Sequence, residues 1–292
     1  MNNKKSNVSY DDSTAICGEL NFAAAEAYKM LRTNVQYGFS SSSGCKIVGI
    51  TSSERNEGKS TIAINLAYML SCDKQRVLLL EGDMRLPSIA KKLGIESTPG
   101  LSDYLTGRIH DNEGFKRTDK APALSIICAG VIPPNPSELL GSASMEKFLE
   151  VLKEHFDFII MDLPPVNIVS DPLSVAKFLD GFIVLVRSEF TSRQGVKDVV
   201  KKLQIVNAKI LGFVINSDSG ADGKYGKYSK YGKYGRYGRY GRYGSYGSYG
   251  KYGYGSYDQS TKDYADSYEN AAKKRAAKAA PPKTDGSKPS GT

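Results

Sequence analysis

A chain of 292 residues with 40% hydrophobic content has room for one sizeable core plus a tail. Its net charge of +9 is unevenly placed: residues 1–222 carry 25 Lys+Arg against 26 Asp+Glu, residues 223–257 carry 8 against none, and residues 258–292 carry 7 against 5, so the basic balance belongs to the tail. Cys17, Cys45, Cys72 and Cys128 form no C-x-x-C pair, which argues against a zinc site and against a secreted disulfide framework, and the absence of a signal-peptide core or a run of about 18 apolar residues leaves a cytoplasmic setting in which any membrane association comes through a partner.

In chain order, "FAAAEAYKMLRTNVQY" (22–37) reads as a helix in which Glu26, Lys29 and Arg32 recur every three residues along one polar face. Taken alone, that spacing is a solvated face with an ion pair worth about 0.2–0.5 kcal/mol. A strand "KIVGIT" (46–51), a helix from about Gly58 to Leu70 and a strand "RVLLLEGD" (76–83) come next. Further apolar runs, "LSIICAG", "FDFIIMDLPP", "GFIVLVRS" and "ILGFVINS", are separated by helix-like stretches near 144–155, 171–179 and 191–206. Continuous apolar strands separated by helices predict a doubly wound α/β domain, its mainly parallel sheet covered on both faces. The domain is expected over 20–218, after a flexible N-terminus of 1–19. From 219 to 292 the composition turns to Lys, Tyr, Gly, Arg and Ser, too poor in aliphatic residues to offset the entropy of ordering. That segment is expected to be disordered, with a nascent helix around 261–279.

The chemistry begins at "TSSERNEGKSTIAINLA" (51–67), where a strand enters a loop and then G-K-S at a helix start. Ser53, Glu54, Arg55, Asn56, Glu57 and Gly58 would wrap a nucleotide's phosphates with backbone N–H groups, Lys59 would reach the β- and γ-phosphates, Ser60 would hold Mg²⁺, and Thr61 follows on the helix. Ser53 stands where the pattern G-x-x-x-x-G-K-[ST] has its first glycine. Glu81 and Asp83 close one strand and Asp162 another, at the sheet edge where such folds place their ligands. With the phosphate loop beside it, Asp162 looks like the aspartate that supports Mg²⁺; on its own it would be a turn residue or a helix cap. Arg187, Asn216 and Asp218, at the ends of the last two strands, are adenine-side candidates, each otherwise an ordinary strand-end residue.

The tail repeats tyrosine at nearly every third position: Tyr225, Tyr228, Tyr231, Tyr234, Tyr237, Tyr240, Tyr243, Tyr246, Tyr249, Tyr252, Tyr254 and Tyr257. Interleaved Lys and Arg allow a reading as a sequence-tolerant nucleic-acid binder, and low complexity allows a linker without a defined role.

Together, "EGKST", "VLLLEGDMRLP" and "FIIMDLPPV" resemble the bacterial tyrosine kinases of exopolysaccharide and capsule assembly. The likeness runs on through "EAYKMLRTNVQY", "GLSDYLTG", "PPNPSELL" and "VSDPLSVAKFLDGFIVLVR" and covers roughly 20–218. The resemblance implies a P-loop NTPase fold, ATP and Mg²⁺ as cofactors, Lys59 and Ser60 in the Walker A loop, Asp83 in the Walker A′ segment and Asp162 as Walker B. Mg²⁺ would fall to Ser60, Asp83 and Asp162, and either Glu81 or Asp83 would draw the proton from the incoming phenol. Two departures stand out: Glu81 replaces the aspartate usual there, and "SSERNEG" lacks a Pro-Gly often found in the loop. The tyrosine cluster becomes the autophosphorylation target, modified in trans, and Glu26, Lys29 and Arg32 become a self-association motif of the form E-x-x-R-x-x-R, with Lys29 in place of its first arginine. Arg32 is then expected to matter more than Lys29. A ring-shaped homo-oligomer, a separate transmembrane activator of the polysaccharide chain-length-regulator type, protein tyrosine substrates and a cognate phosphotyrosine phosphatase complete what the likeness implies, with the enzyme peripheral to the membrane. The competing reading is a partition-type ATPase of the Min or Par kind with an anion- or nucleic-acid-binding tail; Glu54 stands where those proteins carry an additional lysine.

Overall fold

A computed structural model of the chain describes residues 16, 20, 22–39, 43–110, 112–216, 266, 267 and 270. The predicted alternation of strands and helices is present. Helix α1 (Phe22–Gly38) precedes β1 (Lys46–Ser52), α2 (Lys59–Ser71), β2 (Val77–Glu81), and the five-residue helices α3 (Ile89–Leu93) and α4 (Leu101–Leu105). Next come β3 (Phe115–Lys116), β4 (Ser125–Ile127), α5 (Pro136–Leu140), α6 (Ala143–His155) and β5 (Phe158–Asp162). The series closes with α7 (Asp171–Val175), which runs into a 3-10 turn over Ala176–Phe178, then β6 (Gly181–Arg187), α8 (Arg193–Ile205) and β7 (Ile210–Asn216).

One seven-stranded sheet carries these strands in the order β3-β4-β2-β5-β1-β6-β7. Every pairing is parallel except that of β3, a two-residue strand running antiparallel along β4. The apolar runs are continuous because both faces are covered and successive side chains alternate between them. On β1, Val48 and Ile50 face the side covered by α1, α2 and α3, whereas Ile47 faces the side covered by α4 to α8. On β2, Val77 and Leu79 join the first face and Leu78 and Leu80 the second. Two helices are capped by a serine side chain: Ser142 Oγ accepts from Met145 N at the head of α6, and Ser192 Oγ accepts from Gly195 N at the head of α8.

Strand β7 lies at the far edge of the sheet and leaves Phe213 and Ile215 exposed. The described sheet ends at Asn216, so the expected domain boundary at 218 falls outside the described residues, as do Asp218, residues 1–19 apart from Ile16, which were expected to be flexible, and the whole tyrosine cluster. Of the helix expected around 261–279, residues 266, 267 and 270 are helical and the rest lie outside the described residues. Among the described residues no helix is long and apolar enough to cross a membrane.

Candidate active site

The three central strands end together. Parallel register sets Ile50 of β1 and Glu81 of β2 on either side of Asp162 of β5, and past β2 the amides of Gly82 and Asp83 donate to the Asp162 carbonyl at 2.8 and 3.0 Å. The carboxylates of "EGD" and "MDL" and the phosphate loop that leaves β1 thus share one carboxyl edge of the sheet.

The loop from Ser53 to Gly58 is held by its own groups and by braces from other elements. Ser52 Oγ donates to Glu54 O at 2.6 Å, and the buried Glu57 accepts the Glu54 amide at 2.6 Å on Oε1. Burial pushes the Glu57 carboxyl above its usual range, with that amide pulling it back. Gly58 caps α2 with φ of 99°, a left-handed conformation natural to glycine, and a Cβ there would collide with the Asn216 amide. Lys59, Ser60 and Thr61 then open α2, with Lys59 buried and Ser60 and Thr61 half-buried. Ser53, in the place of the first glycine, is fully buried and takes a hydrogen bond of 2.9 Å from Asn167 Nδ2, which also donates to Gly195 O. A buried serine braced from a second loop thus occupies the place of that glycine.

Asp162 is 1% exposed, and neither of its carboxylate oxygens has a hydrogen-bond partner. Burial pushes its carboxyl up to about 7, with the Lys59 ammonium and then the nearby Ser60 hydroxyl pulling the other way. A buried carboxylate with both oxygens unsatisfied, beside a lysine and a helix-start serine, fits a site completed by a divalent cation. Among the described residues no group of three or more His, Cys, Asp or Glu side chains could hold a metal ion, so such a cation would depend on phosphate oxygens and the Ser60 hydroxyl.

Glu81 and Asp83 are not equivalent. Glu81 is fully buried, and its carboxylate accepts three backbone amides: Ser88 N at 2.6 Å and Ile89 N at 2.7 Å on Oε1, and Ala129 N at 3.0 Å on Oε2. Burial pushes it up to about 7 against those three bonds. Asp83 lies two residues further, outside the strand, with Oδ1 accepting Leu86 N at 3.0 Å and Arg85 N at 3.3 Å.

Two residues given no role on sequence grounds fix this turn. Arg85 forms a fork-shaped pair with Asp171 at the start of α7, Nε to Oδ2 and Nη2 to Oδ1, both 2.8 Å, with Asp171 wholly buried. Their separation of 86 residues hides the pair in the sequence; an arginine just past the acidic strand end and an aspartate opening "SDPL" were the only signals. Arg85→Lys is expected to lose one charge-assisted bond and about 1.5–3 kcal/mol of stability. A urea midpoint for Arg85→Lys equal to that of the native chain would show that the fork contributes nothing.

Two of the adenine-side candidates, Arg187 and Asn216, brace the phosphate loop. Arg187 Nη1 donates to Asn56 O at 3.0 Å while its guanidinium lies 5.2 Å from the Phe190 ring, and Asn216 Nδ2 donates to Glu57 O at 2.9 Å. The expected self-association face divides in two. Glu26 and Lys29 form an exposed pair at 2.7 Å, whereas Arg32 turns toward α2, reaching Met69 O at 3.4 Å with its Nε buried and without a hydrogen-bond partner.

Fold and site together define a P-loop nucleotide-binding domain. Residues 45–214 match the family described as "AAA domain". The chain is 34% identical over 201 residues to a tyrosine-protein kinase CpsD of Streptococcus agalactiae, covering 68% of this chain and 85% of that one. To the tyrosine-protein kinase YwqD of Bacillus subtilis it is 31% identical over 192 residues, covering 66% and 80%. Among solved structures, the chimerical protein CapA2B2 aligns with a TM-score of 0.62 at 32% identity, covering 65% of this chain and 83% of that one, and the kinase domain of the Escherichia coli tyrosine kinase ETK with 0.64 at 26%, covering 74% and 80%. The chain belongs to the bacterial tyrosine kinase family.

Proposed function

We propose that this kinase transfers the γ-phosphoryl group of ATP to the tyrosines of its own C-terminal cluster, Tyr225 to Tyr257, between subunits of a homo-oligomer, and thereby regulates the synthesis and export of an exopolysaccharide or capsule. The observation that carries this reading is the meeting of Lys59, Asp162 and Asp83 at the ends of three neighbouring elements, with both Asp162 oxygens buried and unsatisfied. Lys59 and the loop amides position the phosphates, which is most of what phosphoryl transfer asks of a protein. Mg²⁺, held through Ser60, Asp162 and Asp83, would neutralise charge on the transferring group. Asp83 takes the phenolic proton as the tyrosine oxygen bonds to phosphorus and the bond to the ADP oxygen breaks; a phenol of pKa about 10 is protonated at neutral pH, so a nearby carboxylate is useful. Glu81, its oxygens occupied by amides, anchors the turn.

Each phosphate adds about −1.5 to −2 charges at neutral pH. Five of them bring the 223–257 segment from +8 to about zero or below, which favours release of a modified tail from an assembled ring. Glu26 and Lys29, an exposed pair, would meet a neighbouring subunit, and Arg32 would join only after leaving Met69 O. A separate transmembrane activator would hold the enzyme at the membrane, and a phosphotyrosine phosphatase would reset the tail.

The test is mass spectrometry of the tail after incubation of the full chain and its activator with Mg²⁺ and ATP, alongside Lys59→Met. Phosphate on Tyr225–Tyr257 that is lost in Lys59→Met is the expected result. ATP hydrolysis with no phosphotyrosine would replace the kinase reading with a partition-type ATPase.

A further inference from the structure

Beyond β7 the described part of the chain reappears at residues 266, 267 and 270, all helical, and it touches the phosphate loop. Arg55 Nη1 donates to Ser267 Oγ at 3.0 Å, and both residues are half-buried. The other flank of the tyrosine cluster is held close by, since Asn216 donates to Glu57 O at 2.9 Å. In sequence, all twelve tyrosines from Tyr225 to Tyr257 lie between these two contacts, which fall two residues apart on one loop.

Charge selects the segment that docks. Residues 223–257 carry eight positive charges and no negative ones, so they offer the Arg55 guanidinium no carboxylate partner. The stretch "DQSTKDYADSYEN" (258–270) carries Asp258, Asp263, Asp266 and Glu269 against Lys262 alone and is attracted to it.

We propose that Arg55 is a docking point for the chain's own acidic segment around Ser267, so that the tyrosine cluster is closed into a loop with both flanks fixed to the phosphate loop of the same subunit. Docking keeps the cluster local; undocking frees it to extend toward a neighbour. That second consequence rests on the kinase reading above, whereas the contact itself does not.

Proximity can be read without ATP. In the nucleotide-free full chain, with Arg55 and Ser267 left in place, cross-linking by a short bismaleimide would be compared between Glu54→Cys/Asn270→Cys and Glu54→Cys/Ser290→Cys by peptide mapping, each in an equal mixture of ¹⁴N- and ¹⁵N-labelled protein. Positions 270 and 290 lie 54 and 74 residues beyond Asn216. For a tail held by nothing after Asn216, loop closure falling as the −3/2 power of length favours position 270 by only about 1.6-fold. Docking is expected to raise that ratio above about tenfold, within chains of one isotopic mass, as an effective concentration well beyond a free coil's requires. A ratio near the free-coil figure, or links formed only between chains of different mass, overturns the proposal. To assign the docking to Arg55, hydrogen exchange of the peptide over 264–270 is measured as well in the unaltered chain against Arg55→Ala. Faster exchange in Arg55→Ala is expected, and identical exchange overturns the docking. Neither readout depends on catalysis, so a chain that never forms phosphotyrosine would leave this result standing, and an active kinase with an undocked segment would remove it alone.

Discussion

Asp83→Asn should keep its affinity for ATP within a few-fold, need more Mg²⁺ to saturate, and at saturating Mg²⁺ lose about 10²–10⁴-fold in the rate of phosphotyrosine formation, the range expected for removing a positioned general base. Glu81→Gln should behave in the opposite way. Three amide N–H groups converge on the Glu81 carboxylate, and a carboxamide offers them one oxygen and one N–H₂ group. If the oxygen stays with Ser88 and Ile89, the Ala129 amide faces a donor instead of an acceptor. The cost is about 1–3 kcal/mol of stability, with turnover largely kept at temperatures where the domain is folded. The pair of variants separates two carboxylates that stand two residues apart and are indistinguishable by type. Should Glu81→Gln abolish transfer in a stably folded protein while Asp83→Asn remains active, the base is Glu81 and the hydrogen bonds to its carboxylate must open during turnover.

A second large effect concerns pH. With chelator present and no nucleotide, Asp162 releases its proton at about 7 in the folded chain, against an ordinary carboxyl value of 3.8. Between those values the folded state holds a proton that the unfolded state has lost. The resulting stability is fully present below about 4 and is lost as pH rises through about 7. A shift of about three pH units corresponds to on the order of 4 kcal/mol for an isolated group. Glu81 and Glu57, also pushed upward by burial, add to the same slope. Asp162→Asn cannot ionise, so its urea midpoint is expected to fall much less between pH 5 and pH 8 than the native chain's. Mg²⁺ with nucleotide should restore the native chain at pH 8 and do little for Asp162→Asn. Parallel slopes in the two proteins would move the titration to another group.

The order of strands and helices was legible because burial on both faces makes strands into unbroken apolar runs, and because a lysine and a serine after Gly58 mark a strand-to-helix phosphate turn even with Ser53 in place of glycine. The elements that escaped were those too short to carry a period: the two-residue β3 and the five-residue helices α3, α4 and α5. At the site, the carboxylates could be placed at strand ends, but their differing surroundings could not, since Ser88, Ile89 and Ala129 contribute backbone amides, which have no side-chain signature. Long-range braces were hidden for a related reason. Arg85 and Asp171, or Asn167 and Ser53, meet only after the sheet has assembled, and nothing local announces them. Arg187 and Asn216, candidates for the adenine side or ordinary strand-end residues by sequence, each give one N–H to a carbonyl of the phosphate loop, a backbone partner with no side-chain signature.

The Asn216 brace bears on the order in which a newly made chain becomes competent. The amide that holds Glu57 O comes from the final residue of the last strand, 159 positions downstream. During synthesis the amino-terminal half can collapse early. Its phosphate loop nevertheless waits for β7 to leave the ribosome and dock along β6. Nucleotide capture is then expected only once the sheet is complete, because a nascent or truncated chain lacking β7 carries the loop sequence without its Asn216 brace.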